Sequence, residues 1–133
     1  VKDSSGSVAQ SLELLQRKPK DFAVLTGEDA LYFTMMANGG NGGILAASHL
    51  LTEHFVDVGR RLAANDLAGA RAAWTPLASL VTLLFAEANP MPIKYCLWRQ
   101  GLIASPECRL PLTKISDDLA RRLDLVLLER RAA

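Results

Sequence analysis

The order of apolar and polar positions in the first 49 residues predicts strands that alternate with helices. Short apolar runs bounded by Asp or Gly are typical of buried parallel strands, and apolar residues three to four apart are typical of helices. The predicted elements are a strand that ends at Lys2, a helix over residues 7–17, a strand over residues 22–26, a helix over residues 30–37 and a strand over residues 44–47. This β-α-β-α-β order with short connections predicts a parallel sheet with right-handed crossovers.

The pattern becomes entirely helical from Leu50 onward. The spacing predicts helices over residues 52–64, 67–86, 93–101 and 116–131, with a proline-containing break at residues 89–92 and an extended loop over residues 105–114. The change divides the chain into a sheet-containing part, residues 1–49, and a helical part, residues 50–133.

Two of the predicted turns contain residues with more than one interpretation. The glycine-rich stretch over residues 39–43 is typical of a helix stop followed by a tight turn, although glycine loops also bind phosphate. The Lys and Ser/Thr of a P-loop are missing from it. Glu28 and Asp29 are candidate acid–base groups, but such residues more often cap the helix that follows, which is the interpretation we favour.

Composition and charge narrow the classes of function. The 133 residues carry 15 basic and 14 acidic side chains, and half of the residues are hydrophobic, which predicts one compact globular chain. We expect no nucleic-acid partner, because no basic stripe interleaves with aromatic residues. Cys96 and Cys108 form no CxxC pair, which favours a reducing cytoplasm over a disulfide framework or a zinc site. His49 and His54 are five residues apart, so we expect no metal site there.

The ends and the apolar runs of the chain give two further expectations. The longest apolar run, near residues 80–86, is too short to span a bilayer, so no membrane partner is expected. The chain begins with Val1 inside a predicted strand. We therefore expect it to be the carboxyl-terminal part of a longer polypeptide, or a processed or split chain.

Lys2 is the candidate residue for chemistry. A lysine at a strand end, followed by a small polar turn, is either a solvated charge or an amine that condenses with a carbonyl substrate. In a parallel α/β barrel, Lys2, Gly27 and the stretch from Gly39 to Ile44 would lie at the same face, where active sites form. Glycine lets the backbone come close to a small ligand.

Five motifs in order resemble the dihydrodipicolinate synthase and N-acetylneuraminate lyase superfamily. They are Val-Lys-Asp-Ser-Ser-Gly at residues 1–6, Leu-Thr-Gly-Glu-Asp at residues 25–29, Gly-Gly-Asn-Gly-Gly-Ile at residues 39–44, Glu-Ala-Asn-Pro-Met-Pro-Ile-Lys at residues 87–94 and Leu-Pro-Leu at residues 110–112. The resemblance covers essentially the whole chain. It implies an α/β fold, namely the carboxyl-terminal half of a (β/α)8 TIM barrel (strands 6–8) followed by a helical subdomain.

The resemblance also implies a chemistry and a set of site residues. Lys2 would be the imine-forming nucleophile toward pyruvate or a related 2-keto acid, Gly27 would border the pocket, and the carbonyl of Ile44 would orient lysine and substrate. No metal or organic cofactor is implied. Family members usually form tetramers, so a homo-oligomer is expected.

The resemblance has gaps that keep alternatives open. The family's catalytic tyrosine and its carboxylate-binding turn lie before the lysine, and neither Tyr32 nor Tyr95 matches that tyrosine, so a partner half of the barrel is expected to be missing. After Ile44 the synthase branch usually continues with Ser-Val and an Asn, whereas this chain has Leu-Ala-Ala-Ser-His. A sugar-acid lyase, a dehydratase, or a non-catalytic fragment that serves in assembly therefore remain alternatives.

Overall fold

The computed structural model describes the backbone of residues 1–132 and the side chains of residues 1–128. The chain divides into two compact units, Val1–Ala78 and Ser79–Ala133. The first contains three short strands, β1 (Lys2–Asp3), β2 (Leu25–Thr26) and β3 (Gly42–Gly43), with helices α1 (Val8–Arg17), α2 (Tyr32–Ala37) and α3 (Ser48–Ala63). Helix α4 (Leu67–Leu84) crosses the division, and the second unit adds α5 (Met91–Arg99) and α6 (Asp117–Ala132). The proposed boundary between residues 49 and 50 remains a prediction.

The three strands form a parallel sheet in the order β1-β2-β3. Lys2 pairs with Leu25, and Leu25 pairs with Gly42, so the three strand ends lie side by side. Backbone hydrogen bonds extend this alignment beyond the strands: the Gly27 N–H donates to the Asp3 carbonyl at 2.6 Å, and the Ile44 N–H donates to the Thr26 carbonyl at 2.8 Å. The predicted parallel sheet is confirmed, and its carboxyl-terminal edge gathers the candidate residues.

Two strand predictions need correction. The run over residues 22–26 forms a strand only at Leu25–Thr26. The strand predicted over residues 44–47 is wrong, because the ladder ends at Gly43 and the following residues lead into α3. Leu45 and Ala47 are buried, but their backbone N–H groups have no strand partner, so an apolar pattern was mistaken for sheet pairing.

Helix ends in the first unit follow their sequence signals. The Ser7 hydroxyl accepts a hydrogen bond from the Gln10 N–H and caps α1. At the end of α2, Gly39 has a φ of +90° and the Gly40 N–H reaches back to the Met35 carbonyl at 2.8 Å. The glycine stretch is thus a helix stop, as predicted, because a positive φ favours glycine.

Aromatic side chains connect α2, α3 and α4 within the first unit. Trp74 packs against Tyr32, Phe33 and Phe55, with ring centroids 5.9–6.3 Å away. The Tyr32 hydroxyl donates to the Phe55 carbonyl at 3.0 Å, where it also fills the space in front of Gly59. A Cβ at Gly59 would lie 2.8 Å from that hydroxyl oxygen. Trp74 thus joins these three helices of the first unit through ring contacts.

The second unit is built on the contact between α5 and α6. The Tyr95 hydroxyl donates to Asp124 at 3.1 Å, and the Arg99 guanidinium pairs with the same carboxylate at 2.7 Å. Cys96 is fully buried beneath them, and burial raises the pKa of its thiol to about 12. It therefore acts as a small buried apolar residue.

Helix α4 is strongly apolar, although Arg71 and Pro76 lie within it. It is the one helix of the described part of the chain whose length and composition would allow a membrane span, with a mean hydropathy of 1.3. One third of it is buried. This length and composition do not establish a membrane span, because core helices of globular proteins have the same properties.

Candidate functional site

The candidate site lies at the carboxyl-terminal edge of the sheet and is built around Lys2 at the end of β1. The Lys2 side chain is exposed, whereas the next residue, Asp3, is 8% exposed and faces α1. This alternation follows from strand geometry, in which successive side chains point to opposite faces. The sheet therefore presents the lysine amine on the side away from α1.

Gly27 lies directly against the Lys2 side chain. A Cβ at Gly27 would lie 2.3 Å from Lys2 Cε and 2.0 Å from Ser4 Oγ, well inside van der Waals contact. Because Gly27 has no side chain, the Lys2 side chain can occupy the space beside its Cα. Sequence analysis placed these two residues in one pocket, and the structure brings them together.

Ile44 follows β3 at the same edge. Its N–H is bound by the Thr26 carbonyl, which fixes Ile44 next to the β2 end, and its side chain is 53% exposed. The structure therefore places Lys2, Gly27 and Ile44 on three neighbouring strand ends. The role assigned to the Ile44 carbonyl stays a prediction.

Asp29 has a different partner from the one expected. Glu28 and Asp29 were predicted to cap the helix that follows them, but neither side chain does so. The Asp29 carboxylate, 3% exposed, instead accepts hydrogen bonds from the N–H groups of Ala47 at 2.6 Å and Ala46 at 3.3 Å. It therefore binds the start of α3, a helix that begins 19 residues later in the chain.

Burial, hydrogen bonds and the charge of Lys2 all affect the pKa of the Asp29 carboxyl group. Burial raises the pKa of Asp29, and the N–H groups of Ala47 and Ala46 act in the opposite direction. The positive charge of Lys2 also lowers the pKa of Asp29.

Asp3 attaches the lysine strand to α1. Its carboxylate accepts from the Ser11 hydroxyl at 2.5 Å and from the Ser5 N–H at 3.0 Å. The Ser11 hydrogen bond is the main reason that the pKa of Asp3 is lowered. The backbone that carries Lys2 is thereby fixed against a buried helix face.

Two residues of this edge are not predicted from the sequence: Ser4, which lies with Lys2 against Gly27, and Asp29, which binds the Ala46 and Ala47 N–H groups. Ser4 follows Lys2 by two residues, and the period of a strand could have placed both side chains on one face. No local signal identifies Asp29, because its hydrogen-bond partners are 17 and 18 residues away.

Other features of the described residues lie outside this site. No group of three or more His, Cys, Asp or Glu side chains that could hold a metal ion is found among the residues that the structure describes. The Nδ1 atom of the His49 ring lies 3.0 Å from the Ala46 carbonyl oxygen, a local hydrogen bond. A cavity of about 530 Å³ in the second unit is mainly apolar, with walls from Met91, Trp98 and Pro106, and contains none of the candidate residues.

Comparison with known proteins gives a consistent answer. The model of the dihydrodipicolinate synthetase family matches residues 1–129. The chain is 46% identical over 127 residues to 4-hydroxy-tetrahydrodipicolinate synthase 2 of Clostridium acetobutylicum, covering 96% of this chain and 44% of that protein. It is 40% identical over 124 residues to the 4-hydroxy-tetrahydrodipicolinate synthase of Chlorobium chlorochromatii, covering 93% and 42%.

Solved structures agree. The dihydrodipicolinate synthase of Aquifex aeolicus superposes with a TM-score of 0.91 at 32% identity, covering 98% of this chain and 44% of that one. A monomeric dihydrodipicolinate synthase variant matches with a TM-score of 0.90 at 30% identity, covering 97% and 44%. The chain thus spans less than half the length of the relatives it matches, and its fold is part of the TIM barrel of these enzymes. The chain belongs to the dihydrodipicolinate synthetase family.

Proposed function

We propose that this chain carries the imine-forming part of a dihydrodipicolinate synthase-like enzyme that acts on pyruvate or a related 2-keto acid. Lys2 is the nucleophile: its amine attacks the keto carbon, the carbonyl oxygen leaves as water, and the resulting imine makes the adjacent carbon acidic. Gly27 borders the pocket, and Ile44 lies at its third strand end. The observation that carries the proposal is the contact between Gly27 and the Lys2 side chain, supported by the names of the relatives.

The proposal includes a second part of the enzyme. The chain corresponds to the carboxyl-terminal half of the barrel, strands 6–8, with the helical subdomain. The amino-terminal half supplies the tyrosine and the carboxylate-binding turn, either from the same polypeptide or from a partner chain. A cytoplasmic homo-oligomer, tetramer or dimer, is the expected assembly. The coverage of 44% of the relatives' length supports a missing half.

The proposal is tested by trapping the imine. The natural polypeptide is purified through a carboxyl-terminal tag, incubated with pyruvate and borohydride, and analysed by intact-mass spectrometry and peptide mapping. We expect one reduced pyruvate unit, mapped to Lys2, because hydride adds to the imine carbon and leaves a stable secondary amine. The unmodified mass also shows whether an amino-terminal half is attached.

Two variants make this test specific. Lys2→Arg keeps the charge but cannot form the imine, so its adduct should be absent. Lys114→Arg removes an exposed lysine of the second unit and should leave the adduct unchanged. An adduct that persists in Lys2→Arg, or none in the natural protein, would contradict the proposal and favour an assembly role. If the adduct forms, product analysis with candidate aldehydes separates a synthase from a sugar-acid lyase or a dehydratase.

A further inference from the structure

The segment between β3 and α3 is held at two points. At its start, the Ile44 N–H donates to the Thr26 carbonyl. At its end, the N–H groups of Ala46 and Ala47 donate to the Asp29 carboxylate. Leu45, which lies between these points, is buried, whereas Ile44 is half exposed. Without the carboxylate, hydrogen bonds from the β2 side would hold this segment only at Ile44.

The same contacts continue to the lysine. Thr26 precedes Gly27, whose N–H is bound by the Asp3 carbonyl and whose Cα leaves room for the Lys2 side chain. A displacement of the segment after β3 would therefore be transmitted through β2 to the surface beside Lys2. Asp29 lies three residues after Thr26, so one short turn carries both the lysine contact and the anchor of the Ile44 segment.

A second observation connects Asp29 to the site. A buried carboxylate is costly unless hydrogen bonds or an opposite charge compensate for it. Both are found here: two backbone N–H groups bind Asp29, and the positive charge of Lys2 acts on it as well.

We propose that Asp29 is a positioning residue of the Lys2 site, because its carboxylate fixes the segment from Ile44 to Ala47 in the place that a bound keto acid requires. The inference rests on the proposed function, since its readout is the imine at Lys2. Asp29 does not enter the bond-forming steps. Its effect is on how well the keto acid binds, and not on whether the amine can react.

The test compares two acids that bind the start of a helix. Asp29→Ala removes the anchor of α3, and Asp29→Asn keeps one oxygen that can accept the Ala47 N–H but removes the charge. Asp66→Ala is the matched control, because the Asp66 carboxylate accepts from the Gly69 N–H at 2.8 Å near the start of α4. Each variant of the natural polypeptide is titrated with pyruvate under borohydride trapping, at a temperature at which circular dichroism shows it folded.

We expect Asp29→Ala to raise the pyruvate concentration for half-maximal trapping about tenfold or more, since small misplacements of positioning groups cost this much. The amount trapped at saturation should stay close to that of the unmodified protein. Asp29→Asn should fall between the two, and Asp66→Ala should leave the titration unchanged while lowering thermal stability. If Asp29→Ala does not fold, Asp29→Asn alone carries the comparison.

Amide hydrogen exchange gives a readout that does not depend on pyruvate. The Ala46 and Ala47 amides should exchange faster in Asp29→Asn than in the unmodified protein. The inference is overturned if the pyruvate concentration for half-maximal trapping changes equally in Asp29→Asn and Asp66→Ala. It is also overturned if this concentration is unchanged in both Asp29 variants. No adduct in the unmodified protein overturns the proposed function instead, so the two failures are distinguishable.

Discussion

At the scale of single residues, the Lys2 side chain occupies the space that a side chain at position 27 would need. An alanine at position 27 would place its Cβ 2.3 Å from Lys2 Cε and 2.0 Å from Ser4 Oγ. Both neighbouring atoms belong to side chains that can rotate away, so the fold should tolerate the substitution while the amine is displaced. We expect Gly27→Ala to lower the rate of pyruvate trapping at least about tenfold, with little change in the unfolding midpoint.

The double variant Ser4→Ala/Gly27→Ala separates the two contacts of Gly27. It removes the clash with the hydroxyl and leaves the clash with the lysine. Trapping should therefore stay as low as in Gly27→Ala. Recovery in the double variant would show that Ser4, and not the lysine, is displaced by the new methyl group.

The sequence predicts the residues that the strand register brings together, but it does not predict the hydrogen bonds of Asp29, which join residues far apart in the chain. Lys2 ends one predicted strand and Gly27 follows the next, and parallel strands bring such positions to one edge. Ile44 instead begins the run predicted as a strand, and it reaches this edge because the observed strand β3 ends at Gly43. Asp29 was assigned to the helix next to it, because capping signals are local. Its actual partners, the N–H groups of Ala46 and Ala47, are 17 and 18 residues away in the chain.

At the scale of elements, one buried hydrogen bond connects β1 to α1. The Ser11 hydroxyl donates to Asp3 at 2.5 Å, and this bond is the largest cause of the lowered pKa of Asp3. Removing it by Ser11→Ala leaves a poorly solvated carboxylate with one partner fewer. We expect a loss of about 1.5–3 kcal/mol in the free energy of unfolding at pH 7, the range for hydrogen bonds to charged groups.

This loss should depend on pH in a defined direction. Because the pKa of Asp3 is lower in the folded chain than in the unfolded one, its stabilisation is present above the ordinary aspartate pKa and is lost as the pH falls through the folded value. Urea unfolding at pH 7 and near pH 3 should therefore show a smaller difference between Ser11→Ala and the unmodified chain in acid. An equal difference at both pH values would rule out the charge of Asp3 as the cause.

The helices were predicted better than the strands, for a physical reason. A helix of ten or more residues repeats its apolar spacing several times, as in α1 and α6, whereas each strand here has only two ladder residues. The buried run after β3 satisfies the pattern of a strand but packs as the entry to a helix. Burial alone does not identify the hydrogen-bond partner of a backbone group.

At the scale of the whole molecule, β1 and β3 are the outer strands of the sheet. Each has one edge without a strand partner in the described part of the chain. Unpaired edges promote association unless another segment covers them. We expect the 133 residues expressed alone to associate, and the natural polypeptide with an amino-terminal barrel half to show a discrete size. Light scattering after size-exclusion chromatography measures both. A stable, monodisperse 14.4 kDa monomer of the 133 residues would contradict this expectation.

The overall architecture was accessible from sequence because five motifs occur in the family's order, and the family model extends over nearly the same residues. The extent of the apolar surface of α4 was not accessible, because Arg71 and Pro76 interrupt the run that a reader of the sequence sees.

The Tyr32 hydroxyl that fills the space before Gly59 has an evolutionary consequence. An alanine at position 59 fits only if the Tyr32 hydroxyl moves or is removed, and the loss of that hydroxyl leaves space that the alanine methyl group could fill. The two positions are 27 residues apart in the chain, yet a substitution at one changes which residues fit at the other. Lineages that change one should change the other, with Gly and Tyr inherited as a pair or Ala and Phe replacing them together.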